Sequence, residues 1–188
     1  ARDLLAAATP DAVDDAALPF FSLREIEIGM VPAQVVRVSF TGELGYEIHC
    51  AMDQLLALFD HVMAAADPLA PVAAGSRALD SLRLEKSYPR WGLELTADSF
   101  PDDVGMGRFV DDRRAFIGRD ALLRHREGRQ VERLVTLVID ADGADAWGSE
   151  PVFADGQVCG VVTSGGYGHC VGASIALALV DPALAGDG

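Results

Sequence analysis

Apolar and polar residues alternate most regularly over residues 33–40, which predicts a β-strand with one buried face. A turn with two glycines follows, and residues 46–50 alternate again. In this second predicted strand Tyr46, Ile48 and Cys50 point to one face of the sheet, whereas Glu47 and His49 point to the other. The short turn between the two segments predicts that they pair as a hairpin.

Apolar residues at helical spacing predict helices on both sides of this hairpin. Residues 52–66 carry such a pattern, which ends before Pro68, and residues 76–86 carry another. Residues 1–22 are predicted to contain a first helix and a short second one that begins at Thr9, because a proline follows this capping residue. The order helix, strand, strand, helix, helix is typical of an α+β layer with antiparallel strands.

Irregular segments and strands predominate among the elements predicted for the second half of the chain. Residues 88–115 are rich in proline, glycine and aspartate and are predicted to be irregular, and residues 118–126 are predicted to form a short helix. Strands are predicted over residues 132–139 and 174–180. Asp155-Gly156 lies between two apolar segments and predicts a tight hairpin, because both turn positions require positive φ.

These elements predict an α+β fold: a ferredoxin-like α/β layer with antiparallel strands, followed by a C-terminal β-barrel unit. We place the layer at residues 1–95, a connecting segment with a helix at 96–130, and the barrel part at 131–188. The predicted strands are too few to close a barrel, so we expect a truncated one.

Composition excludes several classes of function. Half of the residues are hydrophobic, which is enough for a real core and is not typical of disordered chains. Lysine and arginine number 15 against 29 aspartates and glutamates, a formal net charge of −14. Because nucleic-acid binding and docking on anionic lipid both need clustered basic residues, we expect no nucleic-acid partner and no membrane partner.

The cysteines and histidines predict neither a disulfide framework nor a metal site. Cys50, Cys159 and Cys170 are scattered without a CxxC pair, and the four histidines lack metal-ligand spacing. A reducing compartment is therefore expected, and we predict a cytoplasmic protein. The chain has no apolar run of membrane-spanning length and opens without a signal peptide or a methionine, which indicates an excised piece.

Other candidate motifs have ordinary interpretations. The glycine-rich segment 165–168 lacks the spacing of a dinucleotide or phosphate loop and is predicted to be a plain loop. His169 and Cys170 are adjacent in sequence, and a nucleophile and its base usually meet through the fold instead, so no catalytic dyad is expected. No catalytic residue is predicted in this chain.

Charged residues in two segments have alternative interpretations. On the residues alone, Glu47 is best explained as a solvated strand carboxylate. A carboxylate on a rigid strand also suits a ligand with two adjacent N–H donors, such as the amino-pyrimidinone edge of a pterin. In helix 76–86, Asp80 and Arg83 are spaced to pair, and Arg83 and Glu85 are otherwise expected on a solvated face.

Four segments in series resemble one family. S-F-T-G-E-L-G-Y-E-I-H at 39–49 resembles a hairpin of the aminomethyltransferase (glycine cleavage T-protein) family, and A-L-D-S-L-R-L-E-K at 78–86 resembles its helix signature. F-I-G-R with A-L, within 116–122, and T-S-G at 163–165, followed by I-A-L-A, match two further motifs. The segments follow the family's order and span nearly the whole chain.

The segment after the helix indicates a branch of that family. K-S-Y-P-R-W-G-L-E at 86–94 is similar to the folate domains fused behind the FAD domain of dimethylglycine and sarcosine dehydrogenases. P-D-D-V-G-M-G at 101–107 has the proline and glycine spacing of a second motif of that branch. It matches that motif poorly at the acidic position. The expected small-molecule partners are therefore an N-methyl amine and folate.

The resemblance implies a mechanism. An upstream FAD domain, absent from this chain, oxidises the amine, and the folate domain holds tetrahydrofolate, which captures the one-carbon unit as 5,10-methylenetetrahydrofolate. The family's hairpin glutamate binds the pterin, and Glu47 stands at that position, with Tyr46 beside it as a possible lining residue. Alternatives on the same fold are a glycine cleavage T-protein, a folate-dependent demethylase and a non-catalytic folate-binding module.

Two departures from the family change what we expect of folate binding and of transferase activity. Leu79 stands where T-proteins have a folate-contacting arginine, so the folate tail has no assigned partner. The family's important aspartate belongs to an N-terminal part that this chain lacks. We therefore expect contacts with the N-terminal parts of the same enzyme and little transferase activity from the isolated chain.

Overall fold

The computed structural model describes residues 1–128, 132–140 and 143–186. The chain folds into two compact units, Ala1–Leu79 and Asp80–Gly188. The boundary falls within a helix, and the division at residues 95 and 130 stays a prediction. None of the helices in the described part of the chain combines the length and apolar character needed to cross a membrane.

The first unit contains a small antiparallel sheet and three helices, the last of which runs on into the second unit. In chain order they are α1 Arg2–Ala8, β1 Leu23–Ile28, β2 Val31–Val36, β3 Glu47–His49, α2 Leu55–Ala66 and α3 Ser76–Glu85, with 3-10 turns at Met52–Gln54 and Asp67–Leu69. The sheet order is β1-β2-β3. The predicted pairing of the two alternating segments is confirmed, because β2 pairs β3 in antiparallel register with Gln34 opposite His49 and Val36 opposite Glu47.

Strand β1 was not predicted. It pairs with β2 through the tight turn at Gly29-Met30, where Gly29 has φ +63°. The imidazole of His61 from α2 packs directly on this turn, and its Nε2 lies 3.0 Å from the carbonyl oxygen of Ala8. Glycine is therefore needed at position 29 both for its backbone angle and for the close approach of the ring.

The inner face of this sheet carries the core of the first unit. Buried aliphatic side chains from β1 and β2 meet others from α1, α2 and the segment between α1 and β1: Leu5, Ala8, Val13, Leu18, Ile26, Ile28, Val31, Ala33, Val35 and Leu58. The short second helix predicted from Thr9 is absent, and turns occupy that position. Thr9 caps no helix there: its hydroxyl donates to the Glu27 carbonyl oxygen at 2.5 Å and accepts from the Asp11 amide at 3.2 Å.

The second unit is built on a four-stranded antiparallel sheet. After α3 come α4 Arg119–Glu127, β4 Arg133–Ile139, β5 Pro151–Ala154, β6 Gln157–Gly168 and β7 Ala173–Val180, with 3-10 turns at Gly107–Phe109 and Pro182–Leu184. The sheet order is β4-β7-β6-β5, and over the residues that the structure describes it does not close into a barrel. The predicted α+β class with antiparallel sheets and an incomplete C-terminal barrel is thus confirmed.

Both faces of this sheet are packed. Val162, Ala176, Ala178 and Val180 form one buried cluster, and Leu84 from α3 packs with Ile175 and Leu177 in another. Because apolar side chains of β7 point to both faces, its sequence is a continuous apolar run rather than an alternating one.

The turn at Asp155-Gly156 joins β5 to β6 as predicted, with φ of +49° and +76°. The plain loop predicted for residues 165–168 is wrong, because these residues are the C-terminal end of β6 and pair with β7. Gly165 serves packing rather than flexibility. A Cβ at Gly165 would collide with the carbonyl oxygen of Ala146, so only glycine lets the 146 segment lie on the strand.

Gly165→Ala is therefore expected to lower the free energy of unfolding by about 1–3 kcal/mol, the usual cost of overpacking a filled site. Gly166→Ala is the matched control on the same strand, because its new Cβ would meet only Leu84 Cδ1 at 3.7 Å. Urea titration of both variants against the wild type measures the difference. Equal stability of the two variants would show that the 146 segment moves freely away from β6.

Candidate functional site

Glu47 lies on the outer, exposed face of the sheet in the first unit. The register places Leu23, Val36 and Glu47 side by side across the three strands, so they form one row on that face. The Glu47 side chain is 58% exposed, and Leu23 is 56% exposed. The row therefore combines a flat apolar surface with an accessible carboxylate at one end.

A second row on the same face lies next to the first. It consists of Glu25, Gln34 and His49, one residue from each strand. The Gln34 amide donates to Glu25 Oε1 at 3.1 Å, and His49 Nε2 lies 3.6 Å from Glu47 Oε2. The position of His49 on the same face as Glu47 was predicted from the period of two along the strand. Glu25 was not predicted as a neighbour, because its strand β1 was missed.

A cavity of about 550 Å³ opens along this second row. Glu25, Gln34 and His49 line it, together with Glu27, Asp11 and several apolar residues, so that its charged lining residues include three acids. Its lining is therefore acidic and suits N–H donors better than anions. Among the described residues, no group of three or more histidine, cysteine, aspartate or glutamate side chains is placed to hold a metal ion.

Tyr46 lies on the opposite face of the sheet from Glu47. Its ring packs against the core of the first unit, and its hydroxyl lies 3.4 Å from Arg2 Nε and 3.5 Å from the Val13 carbonyl oxygen. The structure thus confirms the predicted orientation of the two neighbours. A role for Tyr46 in lining a ligand site stays a prediction.

Two arginines meet one carboxylate near Tyr46. Arg2 Nη2 and Arg37 Nη1 each lie 2.5 Å from Asp15 Oδ1. The hydrogen bond from Arg37, with the charge of Arg2, lowers the pKa of the Asp15 carboxyl below its usual value. The cluster links α1, the turn region after it and the end of β2, and therefore holds the sheet end from which β3 begins.

The second unit contains a buried ion pair that the sequence did not indicate. Arg83 on α3 and Glu94 are 1% and 0% exposed, and Arg83 Nη1 lies 3.0 Å from Glu94 Oε2. The expectation that Arg83 faces solvent is wrong, since the side chain points into the unit. The predicted contact with Asp80 exists as well, at 3.4 Å.

Every oxygen of Glu94 has a partner. Oε2 also accepts from the Arg90 amide at 2.9 Å, and Oε1 accepts from Thr163 Oγ1 at 2.9 Å and from the hydroxyl of Ser164. The network joins α3, the segment around residue 90 and β6. Because a buried carboxylate with a full set of donors has no free lone pair for a ligand, we assign Glu94 a structural role.

The remaining sequence candidates lie on α3 and just after β6. Glu85, expected in solvent, is half-buried and accepts from the Cys170 amide at 2.7 Å, a bond that lowers the pKa of its carboxyl. The His169 ring meets the edge of Tyr167, with 5.2 Å between ring centroids. Leu79, at the arginine position of T-proteins, is 43% exposed.

Comparison with known proteins gives two family matches that follow one another along the chain. The family described as the GCVT N-terminal domain matches residues 1–114. The family described as the glycine cleavage T-protein C-terminal barrel domain matches residues 132–188.

Individual relatives agree with these matches. Human mitochondrial dimethylglycine dehydrogenase is 33% identical over 182 residues, covering 96% of this chain and 21% of that protein. The aminomethyltransferase of Bacillus subtilis is 34% identical over 173 residues, covering 91% and 48%. The crystal structure of aminomethyltransferase T of the glycine cleavage system from Bartonella henselae superposes with a TM-score of 0.82 at 26% identity, covering 97% and 49%. The chain thus spans half or less of each of these proteins.

Proposed function

Because the chain belongs to the aminomethyltransferase (glycine cleavage T-protein) family, we propose that its first unit binds the pterin of tetrahydrofolate at Glu47 for one-carbon transfer. The observation that carries the proposal is the exposed carboxylate of Glu47 at the end of the row formed with Leu23 and Val36. No metal is required for the binding we propose.

The row fits the chemistry of a pterin. The pterin of tetrahydrofolate contains a flat amino-pyrimidinone ring with two adjacent N–H donors on one edge. Leu23 and Val36 offer an apolar surface for the ring, and the ionised Glu47 carboxylate accepts both donors in a bidentate, charge-assisted contact. Glu47 would thus orient the ring, and tetrahydrofolate, when bound, would supply the nitrogens that take up the one-carbon unit.

The source of the one-carbon unit is proposed from the relatives. The similarity to dimethylglycine dehydrogenase and sarcosine dehydrogenase covers 96% of this chain in both cases. We therefore propose that the unit comes from an N-methyl amine such as dimethylglycine or sarcosine, oxidised by an FAD domain in another part of a longer protein. The folate-binding step belongs to this chain, and the oxidation does not.

Glu47→Gln is expected to weaken tetrahydrofolate binding by about 1.5–3 kcal/mol, the usual strength of hydrogen bonds to a charged group. The amide keeps the shape of the carboxylate but loses its charge and one acceptor. Isothermal titration with tetrahydrofolate under anaerobic conditions measures the affinity. A melting curve recorded in parallel should stay nearly unchanged, because an exposed strand residue away from the core contributes little to stability.

Glu27→Gln is the matched control for this experiment. It makes the same change of charge on the same sheet face, in the row opposite Pro32 and away from Glu47. Its affinity for tetrahydrofolate should equal that of the wild type. If Glu47→Gln binds as tightly as the wild type while remaining folded, Glu47 is only a solvated strand residue and the proposal is wrong.

A further inference from the structure

His49 is the ionisable neighbour of the carboxylate to which the ligand is assigned. It follows Glu47 by two residues on β3, so both side chains project from the outer face. His49 Nε2 and Glu47 Oε2 are 3.6 Å apart, and the two side chains are 59% and 58% exposed. The imidazole is therefore exposed to solvent and lies within ion-pair distance of Glu47.

We propose that His49 makes tetrahydrofolate binding pH-dependent, because its protonated ring competes with the pterin for the Glu47 carboxylate. The inference rests on the proposed function of Glu47. His49 acts through Glu47 and is a positioning residue rather than a catalytic one.

The competition follows from the chemistry of the three groups. A bidentate contact with the pterin needs both Glu47 oxygens, and one of these faces the His49 ring. A protonated imidazole is attracted to that oxygen and repels the N–H edge of the ligand. The neutral ring carries no charge and leaves the carboxylate to the ligand, so affinity should rise as the pH rises and the proton is lost.

The other charged groups around His49 are mostly acidic. Glu25 lies in the same row beyond Gln34, and Glu27 and Asp11 line the adjoining cavity. Arg24 Nη2 lies 3.5 Å from Asp11 Oδ1, so that cation is already paired. Glu47 is thus the carboxylate that lies at ion-pair distance from His49. A change of charge on His49 affects ligand binding through its interaction with Glu47.

The size of the effect follows from the exposure of the pair. Exposed ion pairs are worth little, so protonation of His49 should weaken binding by roughly two- to fivefold. The dissociation constant of tetrahydrofolate, measured anaerobically at pH 6 and pH 8, gives the ratio directly. For the wild type we expect the constant at pH 6 to be larger by that factor.

Two substitutions at this position and one elsewhere test the assignment. His49→Gln should lose the pH dependence and bind at both pH values as the wild type does at pH 8. His49→Lys keeps a positive charge, so it should bind weakly at both. His169→Gln removes a histidine of the second unit and should keep the wild-type ratio.

The two proposals fail in different ways. If Glu47→Gln leaves affinity at pH 8 unchanged, the proposed function is wrong. If Glu47→Gln weakens binding but His49→Gln keeps the wild-type ratio between pH 6 and pH 8, only the role of His49 is overturned. A His49→Lys variant that binds as tightly as the wild type at pH 8 would also overturn it.

Discussion

Glu94→Gln is expected to destabilise the second unit by about 3–5 kcal/mol, the cost of leaving a buried charge without its partner. The substitution keeps the shape of the side chain but removes the negative charge that faces Arg83 at 3.0 Å. The guanidinium, 1% exposed, then stays buried without the carboxylate at 3.0 Å and keeps the longer contact with Asp80 at 3.4 Å. One of the donors that converge on the carboxylate also loses its acceptor, because the amide offers fewer lone pairs.

Urea titration followed by tryptophan fluorescence measures this loss, because Trp91 and Trp147 both belong to the second unit. Asp111→Asn is the matched control, since it breaks an exposed pair in the same unit whose members are 40% and 86% exposed. Its unfolding midpoint should not move. A small effect of Glu94→Gln, similar to that of the control, would mean that water reaches the pair.

Leu5→Ala is expected to destabilise the first unit by about 2–5 kcal/mol, the range for truncating a leucine in a packed core. Leu5 on α1 is 1% exposed and lies in the cluster on the inner face of the sheet. Truncation loses the transfer free energy of the removed carbons and leaves a cavity, because the surrounding strands relax only in part.

Both tryptophans lie outside the first unit, so hydrogen exchange of the β1 and β2 amides is the suitable measurement. Protection of these amides should fall in Leu5→Ala. Met30→Ala is the control, because Met30 is 95% exposed, and protection should change by less than about 0.5 kcal/mol. Unchanged protection in Leu5→Ala would show that α1 does not hold the sheet.

Local patterns predicted the elements that depend on local chemistry. The Asp155-Gly156 turn and α4 were found from residue types and spacing alone, and both are present. The two faces of β3 followed from the period of two along a strand. The family was predicted from four motifs in order, and the matches over residues 1–114 and 132–188 confirm it.

What the sequence did not reveal depends on contacts between distant residues. The burial of Arg83 is set by Glu94, eleven residues away in an irregular segment. The extension of β6 through Gly165 depends on its pairing with β7, where Gly165 lies opposite Ala176. The row formed by Glu25, Gln34 and His49 requires the register of β1. The pattern of apolar and polar residues did not predict that strand. Spacing along one element does not encode such partners, so they had to be seen in the structure.

The Glu94 network also constrains the order in which the chain acquires its structure during synthesis. Glu94 leaves the ribosome some 70 residues before Ser164, the hydroxyl that meets its Oε1. A chain made at about 5–20 residues per second exposes that carboxylate to water for several seconds before β6 exists. The first unit has no such dependence, because its sheet is complete at His49. Nascent chains stalled before and after β6 should therefore differ in protease resistance around Arg83 and Glu94, while the first unit is equally protected in both.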